Sequence, residues 1–369
     1  MKVIMIDYAS PRNLYSDGLC IRMNEKIDLS LMTDQNSSGF NPVYHIKPVL
    51  YNGGAKKLVA PFKYGLSLAK VLWAILLNRY DIIHIQTFKN AKVESSLYRF
   101  LSKLGFNIVH TVHNVLPHEA NESDIKSFAE FYSCCKKLIV HNEYSKQKLI
   151  ELFGADTKKI AVIPRGIYEY RGCFKKERVD KEGIRRFLFF GKIRKYKGID
   201  ILLKAIARLP DETRRNMHFV IAGEQFSTLD DTDYSQMIKE YGIGEVVTFK
   251  PYRISQSEKK SLFLESDACI CPYKNIYGSG VLLEAYTFGC PVIVSDLPTF
   301  IEDTDNGKTG MIFISEDPLD LADKIMTFSK LPLEAIRRFQ KNIDGLNKEK
   351  HNWDIVSKNT LDVYDQAVQ

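Results

Sequence analysis

Between positions 278 and 296 the chain reads GSGVLLEAYTFGCPVIVSD, which joins two unlike features. A turn of Gly278, Ser279 and Gly280 opens an apolar helix whose one carboxylate, Glu284, lies about a turn inside it; Gly289 closes the helix and a β-branched run follows. The first N–H groups of a helix are unpaired and the dipole is positive there, and small residues let an anion approach. The backbone of Ser279, Gly280 and Val281 is therefore a candidate phosphate site. A carboxylate one turn further can accept two hydroxyl hydrogen bonds, which suits a ribose beside a pyrophosphate. Glu284 is also explained as a good helix former that the dipole stabilises.

A second group of residues lies in FFGKIRKYKGIDILLKA, positions 189–205. A buried strand ends at Gly191. Lys192, Arg194, Lys195 and Lys197 follow with one tyrosine among them, then Gly198 and a helix. Cations in such a turn can neutralise a leaving diphosphate. A solvated basic turn is the bland alternative, and the glycine–lysine–glycine spacing between strand and helix favours the chemical reading. A third group is HTVHNVLPHE, positions 110–119. Neutral His113 can hydrogen-bond a hydroxyl, and His118 and Glu119 can orient or deprotonate one. His110 reads as a satisfied core residue, and His110 and His113 lack a third partner for a metal. Two D-x-D triplets, 231–233 and 303–305, do not follow strands as metal binding would require. The segment YASPRNLYSDG (8–18) reads as a turn after the first strand, making Asp17 and Gly18 candidate ligand contacts. Gly223, after a strand, and Tyr252 and Arg253, after another, are further candidate contacts.

The elements that must position these residues alternate. KVIMIDY, DIIHIQ, NIVHTVH, KLIVHN and IAVIP read as strands of a first set, and RRFLFFG, HFVIAGE, VVTFKPY, ACICPY and PVIVSD as a second. Apolar strands alternating with helical patterns indicate a parallel α/β sheet. The reading is two Rossmann-like, doubly wound domains facing a central cleft: residues 1–165, a linker at 166–184, then 185–350, with a helix at 351–369 returning to the first domain. Such sheets bind ligands beyond the carboxyl ends of their strands.

The length of 369 residues fits two domains. The net charge of +7 is uneven, with 22 Lys+Arg against 14 Asp+Glu in residues 1–165, or +8, and −1 in the remainder. That asymmetry suggests an anionic acceptor or membrane surface for the first half, and scattered solvated lysines explain it as well. No partner role is assigned to nucleic acid. Seven cysteines without a C-x-x-C pair fit a reducing cytoplasm. The N-terminus runs straight into a strand, so no signal peptide is expected, and no apolar run is expected to span a membrane. PFKYGLSLAKVLWAILLNRY (61–80) reads either as a core-facing helix or as one lying on a membrane with its lysines at the headgroups.

Taken together, FGKIRKYKGIDILLKA and SGVLLEAYTFGCPVIVSD closely resemble the donor-binding domain of glycosyltransferase family 4, and the resemblance spans nearly the whole chain. It implies the GT-B fold and a retaining, metal-independent enzyme with no cofactor, using a nucleotide-diphospho sugar. It implies that Lys192 and Lys197 hold the diphosphate. Lys192 stands where the family has arginine, and Arg194 can supply the guanidinium. It implies that Glu284, the second acid of the E-x7-E motif, binds ribose. Ile276 replaces the first acid, so the donor sugar is left to the backbone of Ser279, Gly280 and Val281. His113 matches the histidine that faces the donor sugar across the cleft, and the resemblance implies donor contacts at Gly223, Tyr252 and Arg253 and acceptor contacts at Asp17, Gly18, His118 and Glu119. The expected activity is transfer of a hexose from a UDP- or GDP-sugar to a glycan or polyprenyl-diphosphate-linked acceptor in polysaccharide or glycolipid assembly. The alternatives are a GT-B-fold epimerase or phosphorylase, against whose carboxylate chemistry Ile276 argues, and a non-catalytic sugar-nucleotide-binding subunit.

Overall fold

A computed structural model describes residues 1–10, 14–34, 43–53, 58–117, 121–170 and 183–369. The chain divides into two compact units, Met1–Gly166 with Lys350–Gln369, and Ile167–Glu349.

The first unit holds a seven-stranded sheet of β1 (Lys2–Ile6), β2 (Asp28–Asp34), β3 (His45–Leu50), β4 (Ile82–Ile85), β5 (Asn107–Thr111), β6 (Lys137–Val140) and β7 (Ile160–Val162), in the order β3-β2-β1-β4-β5-β6-β7. Every pairing is parallel, with Val3 opposite Leu29 on one side and Ile82 on the other. A parallel strand covered on both faces needs near-continuous apolar residues, which is why β1, β4, β5 and β6 stand out in the sequence. β2 and β3 do not, and the sequence reading lacks them. Ser30 and Thr33 are buried within or beside the apolar residues of β2, and β3 is an edge strand that tolerates Pro48.

The second unit holds a six-stranded parallel sheet of β8 (Arg185–Phe190), β9 (Met217–Ala222), β10 (Val247–Lys250), β11 (Ala268–Cys271), β12 (Val292–Ser295) and β13 (Gly310–Phe313), in the order β10-β9-β8-β11-β12-β13. The four-residue β13 opens on a glycine and is also missing from the sequence reading. Strand order reverses between β8 and β11, so the loops leaving these two strands flank the crevice where doubly wound sheets bind ligands.

Two elements depart from expectation. Asp17 and Gly18 lie within a helix, Leu14–Met23, and not in a turn. The helix Ala60–Asn78 is, among the described residues, the one long and apolar enough to cross a membrane, whereas no such run was expected; Lys63 and Lys70 are its only charges. It connects β3 to β4 and buries only the narrow face of Ser67, Val71 and Ile75. Ser67 Oγ donates to Val49 O at 3.0 Å and accepts from Tyr51 N at 3.1 Å, tying the helix to the end of β3. Phe62, Leu66, Trp73, Leu76 and Leu77 remain exposed.

The terminal helix Trp353–Val368 belongs to the first unit and buries Trp353 and Tyr364 there. A Cβ on Gly18 would stand 2.3 Å from the Trp353 ring, and one on Gly166 at the same distance, so two glycines make the slot the indole fills. Gly18→Ala should destabilise the first unit by about 1–3 kcal/mol through overpacking. Urea unfolding followed by Trp fluorescence checks this, and Trp353→Leu in the same chain should recover part of the loss.

Candidate active site

The two loops flanking the second unit's crevice meet at glycine. Gly191, at φ +111°, ends β8, and a Cβ there would lie 2.7 Å from Lys197 Nζ and 3.0 Å from Val281 Cγ2. The lysine ammonium and the first turn of the helix Gly280–Thr287 therefore converge on the space a side chain would take. Gly198, at φ +69°, brings the β8 loop against the carbonyl of Pro272 after β11, where a Cβ would stand 1.8 Å away. Lys274 N donates to Tyr196 O at 2.7 Å and locks the same two loops together.

Lys197 is 7% exposed. Its ammonium sits 5.2 Å from the centre of the Tyr273 ring, and among the described residues no carboxylate pairs with it. Burial, with smaller effects from Arg194 and Lys192, lowers its pKa to about 8. The Tyr273 hydroxyl beside it is buried without a hydrogen bond of good geometry. Ser279 caps the Gly280–Thr287 helix, its hydroxyl accepting from Leu282 N at 3.2 Å. A buried cation, a helix N-terminus and a glycine floor at one point form a site for an anion.

Glu284 lies on that helix and is already engaged. Tyr170 donates its hydroxyl to both carboxylate oxygens, at 2.7 and 2.8 Å, and Lys259 Nζ lies 2.7 Å from Oε1 and 2.6 Å from the Tyr170 hydroxyl. The Tyr170 ring stacks on Phe288 at 5.8 Å. The phenol thus holds the carboxylate as a ribose hydroxyl would, and Lys259 keeps its charge balanced. Sequence reasoning missed both residues. Ile276, where the first acid is lacking, is packed into the core, and its carbonyl accepts from Thr299 Oγ1 at 3.3 Å.

The other predicted donor residues are less central. Lys192 is exposed, Arg194 is half-buried, and Lys195 pairs with Asp231 at 2.7 Å. A Cβ on Gly223 would meet the Gly191 carbonyl at 1.9 Å, so that glycine serves the packing of the β8 and β9 ends. Tyr252 donates to Glu258 at 3.1 Å on the β10 exit loop and Arg253 is exposed beside it, on the connection that leads to Lys259. Of the D-x-D residues, Asp231 pairs with Lys195, Asp233 caps a helix and Asp305 pairs with Lys308 at 2.8 Å.

In the first unit His113 is half-buried at the exit of β5. Its Nδ1 lies 3.1 Å from His141 Nε2 and its Nε2 3.0 Å from the Gln86 amide, while Arg165 donates to its backbone carbonyl at 3.1 Å. Burial first, then His141 and Arg165, hold its pKa well below the usual histidine range, so the ring is neutral at pH 7. His113 and Gln86 line a cavity of about 560 Å³ with Phe88, Phe128, Lys92 and Asn114. His110 is buried, its Nδ1 donating to Ile85 O at 2.8 Å. Asp17 accepts from Tyr44 at 2.6 Å and Gly18 backs Trp353, so neither lies on a free loop. His118 and Glu119 fall outside the described residues.

The fold is GT-B, with two parallel α/β sheets of seven and six strands in one chain. The chain matches HepE of Anabaena, solved with UDP and glucose, at a TM-score of 0.76 and 16% identity over 99% of each chain. A model of glycosyl transferases group 1 matches residues 174–344 and one of glycosyltransferase family 4 matches residues 29–169; the chain belongs to this glycosyltransferase family. It is 26% identical to the D-inositol 3-phosphate glycosyltransferase of Streptomyces coelicolor, covering 98% of this chain and 88% of that one. It is 21% identical to an uncharacterised glycosyltransferase of Methanocaldococcus jannaschii, covering 100% and 99%.

Proposed function

We propose that this glycosyltransferase moves a hexosyl group from a UDP- or GDP-sugar to a glycan or polyprenyl-diphosphate-linked acceptor with retention, in polysaccharide or glycolipid assembly. The observation that carries the donor half is the convergence of Lys197 Nζ, the Gly280–Thr287 helix start and Glu284 beside the β8/β11 reversal. The diphosphate lies against the lysine and the helix N-terminus, and the ribose hydroxyls take over the Glu284 carboxylate from Tyr170. As the bond between the anomeric carbon and the diphosphate oxygen breaks, its electron pair goes to the leaving group, and the acceptor oxygen forms the new bond, its proton passing to the departing diphosphate oxygen after the charge there has developed. The leaving group gains one negative charge, which a preorganised cation stabilises more in the transition state than in the ground state. Lys197, helped by Lys192 and Arg194, does the work a metal does elsewhere, so no metal is required. That HepE was solved with UDP and glucose supports a nucleotide-sugar donor.

The acceptor half rests on the first unit. The +8 charge of residues 1–165 and the exposed apolar face of the helix Ala60–Asn78, flanked by Lys63 and Lys70, fit a surface that rests on the inner face of an anionic membrane. Each basic residue near such a surface contributes about 1 kcal/mol within a Debye length. A lipid-linked acceptor would then be within reach of the His113 cavity.

Two measurements test these halves. Incubation with UDP- and GDP-hexoses and a lipid-linked acceptor should give a glycosylated product in the presence of a metal chelator. Glu284→Ala should weaken donor binding by about 2 kcal/mol by calorimetry, the loss of a charge-assisted hydrogen bond. Isomerised donor would instead indicate an epimerase, and unchanged affinity in the variant would remove Glu284 from the ribose site. Separately, flotation with anionic vesicles at low salt should carry the protein up and high salt or neutral vesicles should release it. Equal partitioning onto both lipids, or none onto either, contradicts the membrane assignment.

A further inference from the structure

Five side chains in the first unit form one unbroken hydrogen-bonded line beneath His113, and its ends fix the direction of every bond in it. At one end His141 Nδ1 lies 3.0 Å from Ile163 O. A carbonyl only accepts, so this nitrogen carries the proton, and in a neutral ring His141 Nε2 accepts. Its donor is His113 Nδ1, 3.1 Å away. His113 therefore carries its own proton on Nδ1 and has a lone pair on Nε2. Gln86 stands 3.0 Å from that lone pair. The two ends of a glutamine amide have the same shape, and hydrogen-bond partners decide between them. Here the amide nitrogen, not the oxygen, must face His113, since two acceptors would otherwise meet.

The remaining bonds of the line agree, and the turned amide gives up only the 3.7 Å approach of its nitrogen to Met5 Sδ. With the amide so turned, its oxygen faces His84 Nε2 at 3.2 Å, and Thr111 Oγ1 lies 2.8 Å from the same nitrogen. Both accept, so His84 carries its proton on Nε2 and its Nδ1 receives the Tyr364 hydroxyl at 2.5 Å. Donation then runs one way, from Tyr364 through His84, Gln86, His113 and His141 to the Ile163 carbonyl. The opposite amide orientation is consistent only if the line holds one extra proton. Burial opposes that, holding His84 at about 3 and His113 and His141 well below the usual range.

We infer that His141 and Gln86 are positioning residues that fix His113 as its Nδ1–H tautomer, with the Nε2 lone pair presented as a hydrogen-bond acceptor beside the cavity that Gln86 and His113 share. The inference rests on His113 taking part in transfer. It specifies the ring's part: a sugar hydroxyl reaching His113 donates to it, taking the place the Gln86 amide holds. Tyr15, edge-on to both His113 and His141 at 5.2 Å, and Arg165, at the His113 carbonyl, keep the two rings in register.

The test is long-range proton–nitrogen NMR of the full chain labelled at histidine, with His113 assigned by substitution. The wild type should show His113 neutral and protonated at Nδ1 at pH 7. His141→Phe should shift it toward the Nε2–H form and lower kcat at least tenfold while the donor KM stays within about twofold. His141→Gln, which keeps an acceptor oxygen, should restore both the tautomer and most of kcat. An Nε2–H or doubly protonated His113 in the wild type, or a tautomer indifferent to His141→Phe, would overturn the inference. Full transfer activity in His113→Ala with the wild-type tautomer as stated would instead remove His113 from the reaction and leave the positioning intact.

Discussion

An ammonium enclosed by protein is costly to build when no carboxylate stands beside it, and among the described residues the second unit is arranged around one. Lys197 sits against the Tyr273 ring and the Gly191 backbone, its pKa lowered to about 8 by burial. Replacing a buried ion by an apolar group is often neutral or stabilising, so a fold that keeps one does so for something other than stability. The surrounding features follow from that charge. Gly191 must lack a side chain because the ammonium occupies its place, Gly198 must turn left-handed to bring the β8 loop onto the β11 exit, and Gly223 must let the Gly191 carbonyl through. The parallel sheet sends both loops to the same edge, and the order reversal at β8/β11 leaves the gap between them.

One line of buried polar side chains in the first unit is built in the opposite way. From Tyr364 to the Ile163 carbonyl each bond joins a donor to an acceptor, and the line crosses three strands or their exits before ending on β7's continuation. A fully satisfied buried network rigidifies the residues in it. One unit therefore carries an ammonium that no carboxylate pairs with among the described residues, suited to an anion that arrives charged. The other carries a neutral ring whose lone pair points in a set direction, suited to hydroxyls. That division matches the two kinds of substrate a glycosyltransferase brings together.

Much of this was legible in the sequence because parallel strands covered on both faces advertise themselves as apolar runs. Ten of the thirteen strands did so, and β2, β3 and β13 did not, for reasons of a buried serine and threonine, an edge proline and a leading glycine. Lys197 and Glu284 were legible because local spacing places each at a helix start. The partners of those residues were not. Tyr170 and Lys259 reach Glu284 from 114 and 25 residues away, and Tyr364 reaches His84 across 280. No local period records such contacts. Asp17 and Gly18 were misplaced because a glycine and an aspartate near a strand exit read as a turn, whereas here the glycine makes room for Trp353.

The claim that the Lys197 ammonium receives the donor diphosphate is tested most directly by proton uptake when UDP binds. Calorimetry at about pH 9 in two buffers of different ionisation enthalpy reads it, since the diphosphate of UDP is already fully ionised there and Lys197→Met subtracts any contribution of the uracil. A lysine with a pKa of about 8 is largely deprotonated in the free protein at that pH and must regain its proton beside a diphosphate. The account predicts uptake approaching one proton, UDP affinity that falls as pH rises through about 8, and loss of both effects in Lys197→Met. Binding without proton uptake, or the same uptake in Lys197→Met, would contradict it.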